Sequence, residues 1–217
     1  DMIAIIAFLA TARFFLALAG LDVGTSFGGI GSSREVMIAS LAEPAMLMTV
    51  FTLALIVGST QLSNVAEYML SNAVGLRVSL GLALIALIMV ALAENARIPV
   101  DNPATHLELT MVHEAMVLEY SARHLALIEW ATAIKLTTYC ALGIALFVPW
   151  GLAEAGEWQM LPVSVLAFAG KLMLAGAALA VLETVSAKMR IFRAPEFLGM
   201  AFLLAVLGML TFLLLGA

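Results

Sequence analysis

The stretch from Glu94 to Arg123, ENARIPVDNPATHLELTMVHEAMVLEYSAR, gathers carboxylates at Glu94, Asp101, Glu108, Glu114 and Glu119 with imidazoles at His106 and His113. Withdrawn from water, acids gain proton affinity and bases lose it, so such groups can trade protons near neutral pH. Further ionisable residues sit in or beside long apolar runs: Arg13, Lys135 and Lys171 as bases, Glu43, Glu129 and Glu183 as acids. Each costs about 2.5–3.5 kcal/mol at the centre of a bilayer, and such residues usually face the bundle interior or a hydrated path. Glu43, Glu94, Glu129, Lys135, Lys171 and Glu183 are therefore candidates for a proton path or coupling network. The plainer alternative, snorkelling near a helix end, suits Glu183 best and Lys135 and Lys171 least.

Other chemistries fail on their own spacing. His113-Glu114 begins a zinc-binding HExxH pattern, but position 117 is Val117. The glycine-rich GTSFGGIGSS lacks the following Lys-Ser/Thr of a phosphate cradle and is read as tight loop turns. One cysteine, Cys140, allows neither an internal disulfide nor an iron–sulfur cluster held by this chain alone. No Ser-His-Asp order stands out, and no basic arm suggests nucleic acid. A metal site, a bound cofactor and a catalytic centre are not expected in this chain.

The elements that carry these residues are hydrophobic. Of 217 residues 64% are hydrophobic and 12% charged, against about a quarter charged in soluble domains. The chain reads as an integral membrane protein. It begins with Asp1, and no signal peptide is visible. A helix crosses the hydrocarbon core with about 20 residues, which predicts six spans: Met2–Leu21, Pro44–Ser59, Leu76–Ala93, Leu125–Val148, Leu161–Leu182 and Phe197–Ala217. Ser32 with Glu35 has capping-box spacing, so the second span is extended back to a helix starting at Ser33 and bending at Pro44. Asn102 before Pro103 predicts a further helix to Ala122, amphipathic, with Glu108 and Glu119 about 20° apart around its axis. His106, His113 and Tyr120 form its second polar line. The expected fold is thus an all-α polytopic transmembrane bundle in one domain, 1–217, with a cytoplasmic loop and amphipathic helix over 94–124. Arg34, Arg97, Arg123, Lys188, Arg190 and Arg193 fall on one side of this topology and Arg77 on the other, which puts the Glu94–Arg123 loop in the cytoplasm.

Two stretches, GLDVGTSFGGIGSSREVMIASLAEP and the Glu94–Arg123 loop, resemble the membrane subunit shared by respiratory complex I, where mitochondria call it subunit 1, and group 4 membrane-bound nickel–iron hydrogenases. Glu94, Arg97, Pro99 and Asp101 match the complex I pattern E-x-x-R-x-P-F-D, Glu108 matches an acid of the following helix, and Glu119, Tyr120 and Ser121 match E-Y-S-G. Val100 stands for the Phe of that pattern and Ala122 for its Gly. DNPATHLELTMVHEAMVLEYS and SSRE…EP are closer to the hydrogenase-4 component C and formate hydrogenlyase subunit 4 branch. The resemblance runs from Arg13 to the last span, and it implies two further N-terminal spans that this sequence does not show.

The resemblance implies a subunit without a catalytic centre that anchors a peripheral redox arm to the membrane of a prokaryote. Hydrogenase large and small subunits, carrying a nickel–iron centre and iron–sulfur clusters, and antiporter-like membrane subunits would be its partners. Arg34, Glu35, Arg97, Asp101, His106, His113 and Arg123 would face that arm. Glu94, Arg97, Asp101, Glu108 and Glu119 carry over from the family motif as cytoplasmic interface and path-entry residues, which adds Glu108 and Glu119 to the proton-path candidates, and Glu43 fits an acid of the family's polar interior. Lys135 and Lys171 rest on the cost of burying charge alone. Three functions remain open: hydrogenase coupling to proton or sodium translocation, the quinone-site subunit of NADH:quinone oxidoreductase, and a stand-alone transporter. The last would need symmetric halves, which are not seen.

Overall fold

The computed structural model of the chain describes residues 1–71, 77–101, 111–151 and 158–215. Its helices are α1 (Met2–Asp22), α2 (Ser26–Val57), α3 (Leu62–Ser71), α4 (Val78–Glu94), α5 (His113–Val117), α6 (Ala122–Phe147), α7 (Leu161–Val185) and α8 (Ala194–Leu215), with single 3₁₀ turns at Trp158–Met160 and Ile191–Arg193. No strand occurs among the described residues. Five helices, α1, α2, α6, α7 and the segment Ile191–Leu214, are long and apolar enough to cross a membrane. The sixth expected span, α4, is apolar but has 17 residues. The bundle is polytopic and all-helical.

α2 departs most from expectation. It starts at Ser26, where the Thr25 hydroxyl accepts the Gly28 N–H, and it runs unbroken through Pro44. Ser32 and Glu35 form no capping box; both are buried inside the helix, and Ser32 Oγ donates to the Ala17 carbonyl at 2.9 Å. Of the glycines of GTSFGGIGSS, Gly24 makes the expected turn, at φ 70 between α1 and α2, whereas Gly28, Gly29 and Gly31 lie inside α2. Gly28 and Gly31 thin the helix so that neighbours can approach, as small residues do between membrane helices. A Cβ at Gly28 would collide with the Gly20 carbonyl oxygen, and one at Gly31 would come within 2.9 Å of the Val112 oxygen. α1 and α5 thereby lie directly against α2.

The core is α2, α4 and α8, packed through Ala42, Ala45, Val50, Leu53, Val90, Leu198, Ala201 and Ala205. α6 packs on α3, α4 and α7. α7 has no buried residue among those described and so faces its surroundings almost all round. α8 begins at Ala194, earlier than expected, with Glu196 in its first turn. The predicted helix to Ala122 shortens, in its described part, to His113–Val117; Ser121 is extended and precedes α6. Asn102, Pro103, His106 and Glu108 lie outside the described residues, as do Leu76 and Ala217.

Because the helices alternate in direction, one end of the bundle gathers Asp22–Thr25, Asn95–Asp101, α5 and Ser186–Arg193. Specific bonds tie these together. Tyr120 donates to the Ala19 carbonyl at 3.0 Å, Arg34 to the Met111 carbonyl at 2.6 Å, and Met189 N–H to the Pro99 carbonyl at 2.8 Å.

Candidate functional site

α4 ends in the site. Its last residue, Glu94, is followed by Ala96 at φ 50, the left-handed position of a helix C-cap normally given to glycine. Arg97 N–H reaches back to the Leu92 carbonyl at 2.9 Å and Ala96 N–H to the Ala93 carbonyl at 3.3 Å, which closes the helix end and turns the chain away. The Glu94 side chain is left pointing inward, 6% exposed.

Three other charges meet it. Arg13, 3% exposed on α1, donates from Nε to Glu35 Oε1 at 2.7 Å and from Nη1 to Glu94 Oε1. Lys135 on α6 stands 3.2 Å from Glu94 Oε2 and donates to the Glu94 carbonyl at 2.5 Å. A cation at the carbonyl end of α4 also complements the negative end of the helix dipole. The chain thus runs Glu35–Arg13–Glu94–Lys135, two acids and two bases with no net charge. Charges at this depth persist only when paired, since one left alone carries its whole desolvation cost.

The quartet lines a cavity of about 490 Å³ whose wall also holds Asn95, His113, Thr132 and Thr138. Two buried polar atoms have no partner among the described residues: Arg13 Nη2 and Asn95 Oδ1. At the loop end of the cavity His113 is half-buried, and burial pushes its imidazole below the ordinary value. The Glu35, Glu114 and Asp101 carboxylates pull the other way, while Lys135 adds to the push. A second cavity, about 280 Å³, lies between α4, α6 and α7; its wall is apolar except for Arg97, Tyr139 and Cys140. Buried polar groups around an internal space of this kind can accept, hold and release protons.

A second constellation braces the loop end. Asp101, 2% exposed, lies 3.1 Å from Lys188 and accepts the His113 N–H at 3.3 Å. Arg97 and Glu183 pair at 3.4 Å, both partly exposed.

The structure therefore brings together Glu94, Lys135, Glu35 and His113 around one cavity; Asp101 joins His113 to Lys188, and Arg97 pairs with Glu183. Glu35, expected at a docking surface, is interior. Glu43 is half-buried two turns further along α2. Lys171 is not with the quartet; it donates to the Val148 carbonyl at 2.6 Å and to that of Trp150, closing the end of α6. Glu119, Arg123 and Glu129 are exposed. Arg13 proves to be the hub, linking both acids. Asn95 and Tyr139 carry no sequence signal beyond their places beside Glu94 and one turn from Lys135. Among the described residues no three His, Cys, Asp or Glu side chains gather to hold a metal.

Residues 1–214 match the family described as NADH dehydrogenase. Hydrogenase-4 component C of Escherichia coli (strain K12) is 37% identical over 158 residues, 71% of this chain and 48% of that protein. Formate hydrogenlyase subunit 4 of the same organism is 29% identical over 213 residues, 98% of this chain and 68% of that protein. The chain spans about half the length of the first relative and about two thirds of the second. With nearly every residue inside the match, the chain belongs to the NADH dehydrogenase family.

Proposed function

We propose that the chain is the membrane-anchor and coupling subunit of a membrane-bound nickel–iron hydrogenase complex, linking a peripheral redox arm to proton or sodium translocation. The observation that carries this reading is the buried Glu35–Arg13–Glu94–Lys135 quartet, opening through a cavity of about 490 Å³ towards the braced loop end. The names of both relatives, a hydrogenase component and a formate hydrogenlyase subunit, supply the redox partner. The nickel–iron centre and iron–sulfur clusters belong to large and small subunits docked at the loop end, and antiporter-like subunits lie in the membrane beside this one. The gathering of Arg34, Arg97, Arg123, Lys188, Arg190 and Arg193 at the loop end supports a cytoplasmic position for that end, in a prokaryotic inner membrane.

A redox event outside the membrane changes charge or packing near His113 and Asp101. That shift changes how firmly Arg13 and Lys135 hold the Glu94 carboxylate between them. Metal analysis of the complex, purified gently through a tag on this chain, tests the partner. Nickel and iron in proportion to the chain support the hydrogenase; a chain that purifies alone and metal-free, with partners retained in a control preparation, counts against it. Glu94→Gln tests the coupling: hydrogen turnover should persist while ion translocation is lost, and unchanged translocation removes Glu94 from the path.

A second reading, the quinone-site subunit of an NADH:quinone oxidoreductase, is favoured by the family's description and by the apolar cavity of about 280 Å³. It predicts iron and flavin without nickel in the same preparation.

A further inference from the structure

We propose that the Arg13–Glu35 pair is a movable partition between two cavities, whose position is set by which of Glu35 and Glu94 carries the negative charge. The role of the partition in transport rests on the coupling reading; its existence does not.

Beyond Arg13 from the large cavity lies another of about 230 Å³, between α1 and α2, whose wall includes Phe14, Ala39, Ser40 and Glu43. Among the described residues the two cavities share two lining side chains, Arg13 and Glu35. The ion pair is therefore the wall between them. The large cavity follows α1 from Ala19 to Leu9, a length of about 15 Å at 1.5 Å per residue. The small one follows the same helix from Ala17 to Ala10 on its other side.

The wall is built to shift. The planar Arg13 guanidinium gives Nε to Glu35 and Nη1 to Glu94, and its Nη2 has no partner among the described residues. A fork of five donors can bridge two carboxylates or close on either one. The spare Arg13 donor and the spare Asn95 acceptor both belong to residues lining the large cavity, which suits water rather than lipid there. Its volume holds on the order of ten waters at about 30 Å³ each.

Charge then decides where Arg13 rests. A proton taken up by Glu94 weakens its hold on Arg13, which stays with Glu35 and keeps the wall closed. When that proton passes to Glu35, Glu94 returns to a carboxylate, Glu35 becomes the neutral acid, and Arg13 and Lys135 keep their protons. The total charge of the quartet is unchanged by the transfer. Arg13 now closes on Glu94, and the Glu35 carboxyl is left facing the small cavity and Glu43. The proton is thus held on Glu94, in the wall of the large cavity alone, or on Glu35, which also reaches the small one.

Cysteine accessibility tests the wall in membrane fragments of the assembled complex, open on both faces, with Cys140 replaced by serine. The probe is a small, permanently charged methanethiosulfonate, which reacts in water and not in lipid. Thr138→Cys reports the large cavity and Ala39→Cys the small one. With the native pair, Thr138→Cys should label and Ala39→Cys should label slowly. In Arg13→Gln/Glu35→Gln, which keeps the site neutral through Glu94 and Lys135, Ala39→Cys should label faster by about tenfold, the effect of a barrier of about 1.4 kcal/mol. Arg13→Lys keeps the charge but offers no planar fork; it should show the same direction and serves if the double variant does not assemble. Equal Ala39→Cys rates with and without the pair, or a Thr138→Cys that does not label, overturn the partition. Ion translocation that survives Glu94→Gln overturns the coupling reading instead and leaves the labelling result standing.

Discussion

Lys135 Nζ lies 3.2 Å from the Glu94 carboxylate and 2.5 Å from the carbonyl of the same residue, so one amine holds both the side chain and the helix end. Lys135→Met should cost about 3–5 kcal/mol, because it strips a partner from a buried charge. Lys135→Met with Glu94→Gln should cost less than the sum of the single changes, by about 0.5–3 kcal/mol. Thermal unfolding of the four variants of the cycle measures this, and strict additivity would mean that the pair contributes no coupling.

Gly28→Ala should weaken the α1–α2 hairpin by about 1–3 kcal/mol, since the new methyl meets backbone and not a side chain that can turn aside. Gly29→Ala, one position on, has open space around it and should be neutral or slightly stabilising within the helix. Equal stability of the two variants in a detergent melt would count against the close approach.

Asp101→Asn should loosen the loop end, because one carboxylate serves both Lys188 and the N-terminus of α5. Loss of a charged acceptor in a buried site is worth about 1–3 kcal/mol. Faster amide exchange at His113 and Met189, without change in α8, is the expected pattern; uniform exchange across the chain would assign Asp101 a global role instead.

His113 gives a pH dependence of defined sign. Its folded affinity for protons lies below the ordinary value of 6.5, so the unfolded chain binds a proton that the folded chain refuses. The stability linked to His113 is complete above that value and is lost as the pH falls towards the folded pKa. His113→Gln should flatten the slope of the melting temperature against pH below 6.5; identical slopes would place the acid sensitivity elsewhere.

The spans and the polar interior were legible because the cost of burying Arg13 and Lys135 is so large that neither could be left facing lipid. Their partners were not legible. Arg13 meets Glu35 across 22 residues and Glu94 across 81, and that choice depends on how each helix is rotated about its axis, which apolar composition leaves undetermined. Ser32 and Glu35 mimic a helix start since their spacing fits a cap, yet the same spacing places both on one inward face of a continuous helix. Glycine carries a similar ambiguity: Gly28 and Gly31 serve equally as turn residues or as thin places in a helix, and the distinction rests on what lies opposite. Lys171 has the same mid-span place as Lys135, but its helix packs chiefly on α6, where the carbonyls of Val148 and Trp150 take its amine.

The quartet also bears on how such a chain enters a membrane. Arg13 and Glu35 belong to consecutive helices joined by a short turn, so their hairpin is electrically neutral at this depth as soon as both helices exist. Glu94 and Lys135 form a second neutral unit between α4 and α6. Each half can be delivered to lipid with its quartet charges paired, and the bond from Arg13 to Glu94 is the joint made when the halves meet. The order of synthesis and the order of charge cancellation then coincide, and swapping the partners between halves would leave two charged hairpins waiting in the bilayer for each other.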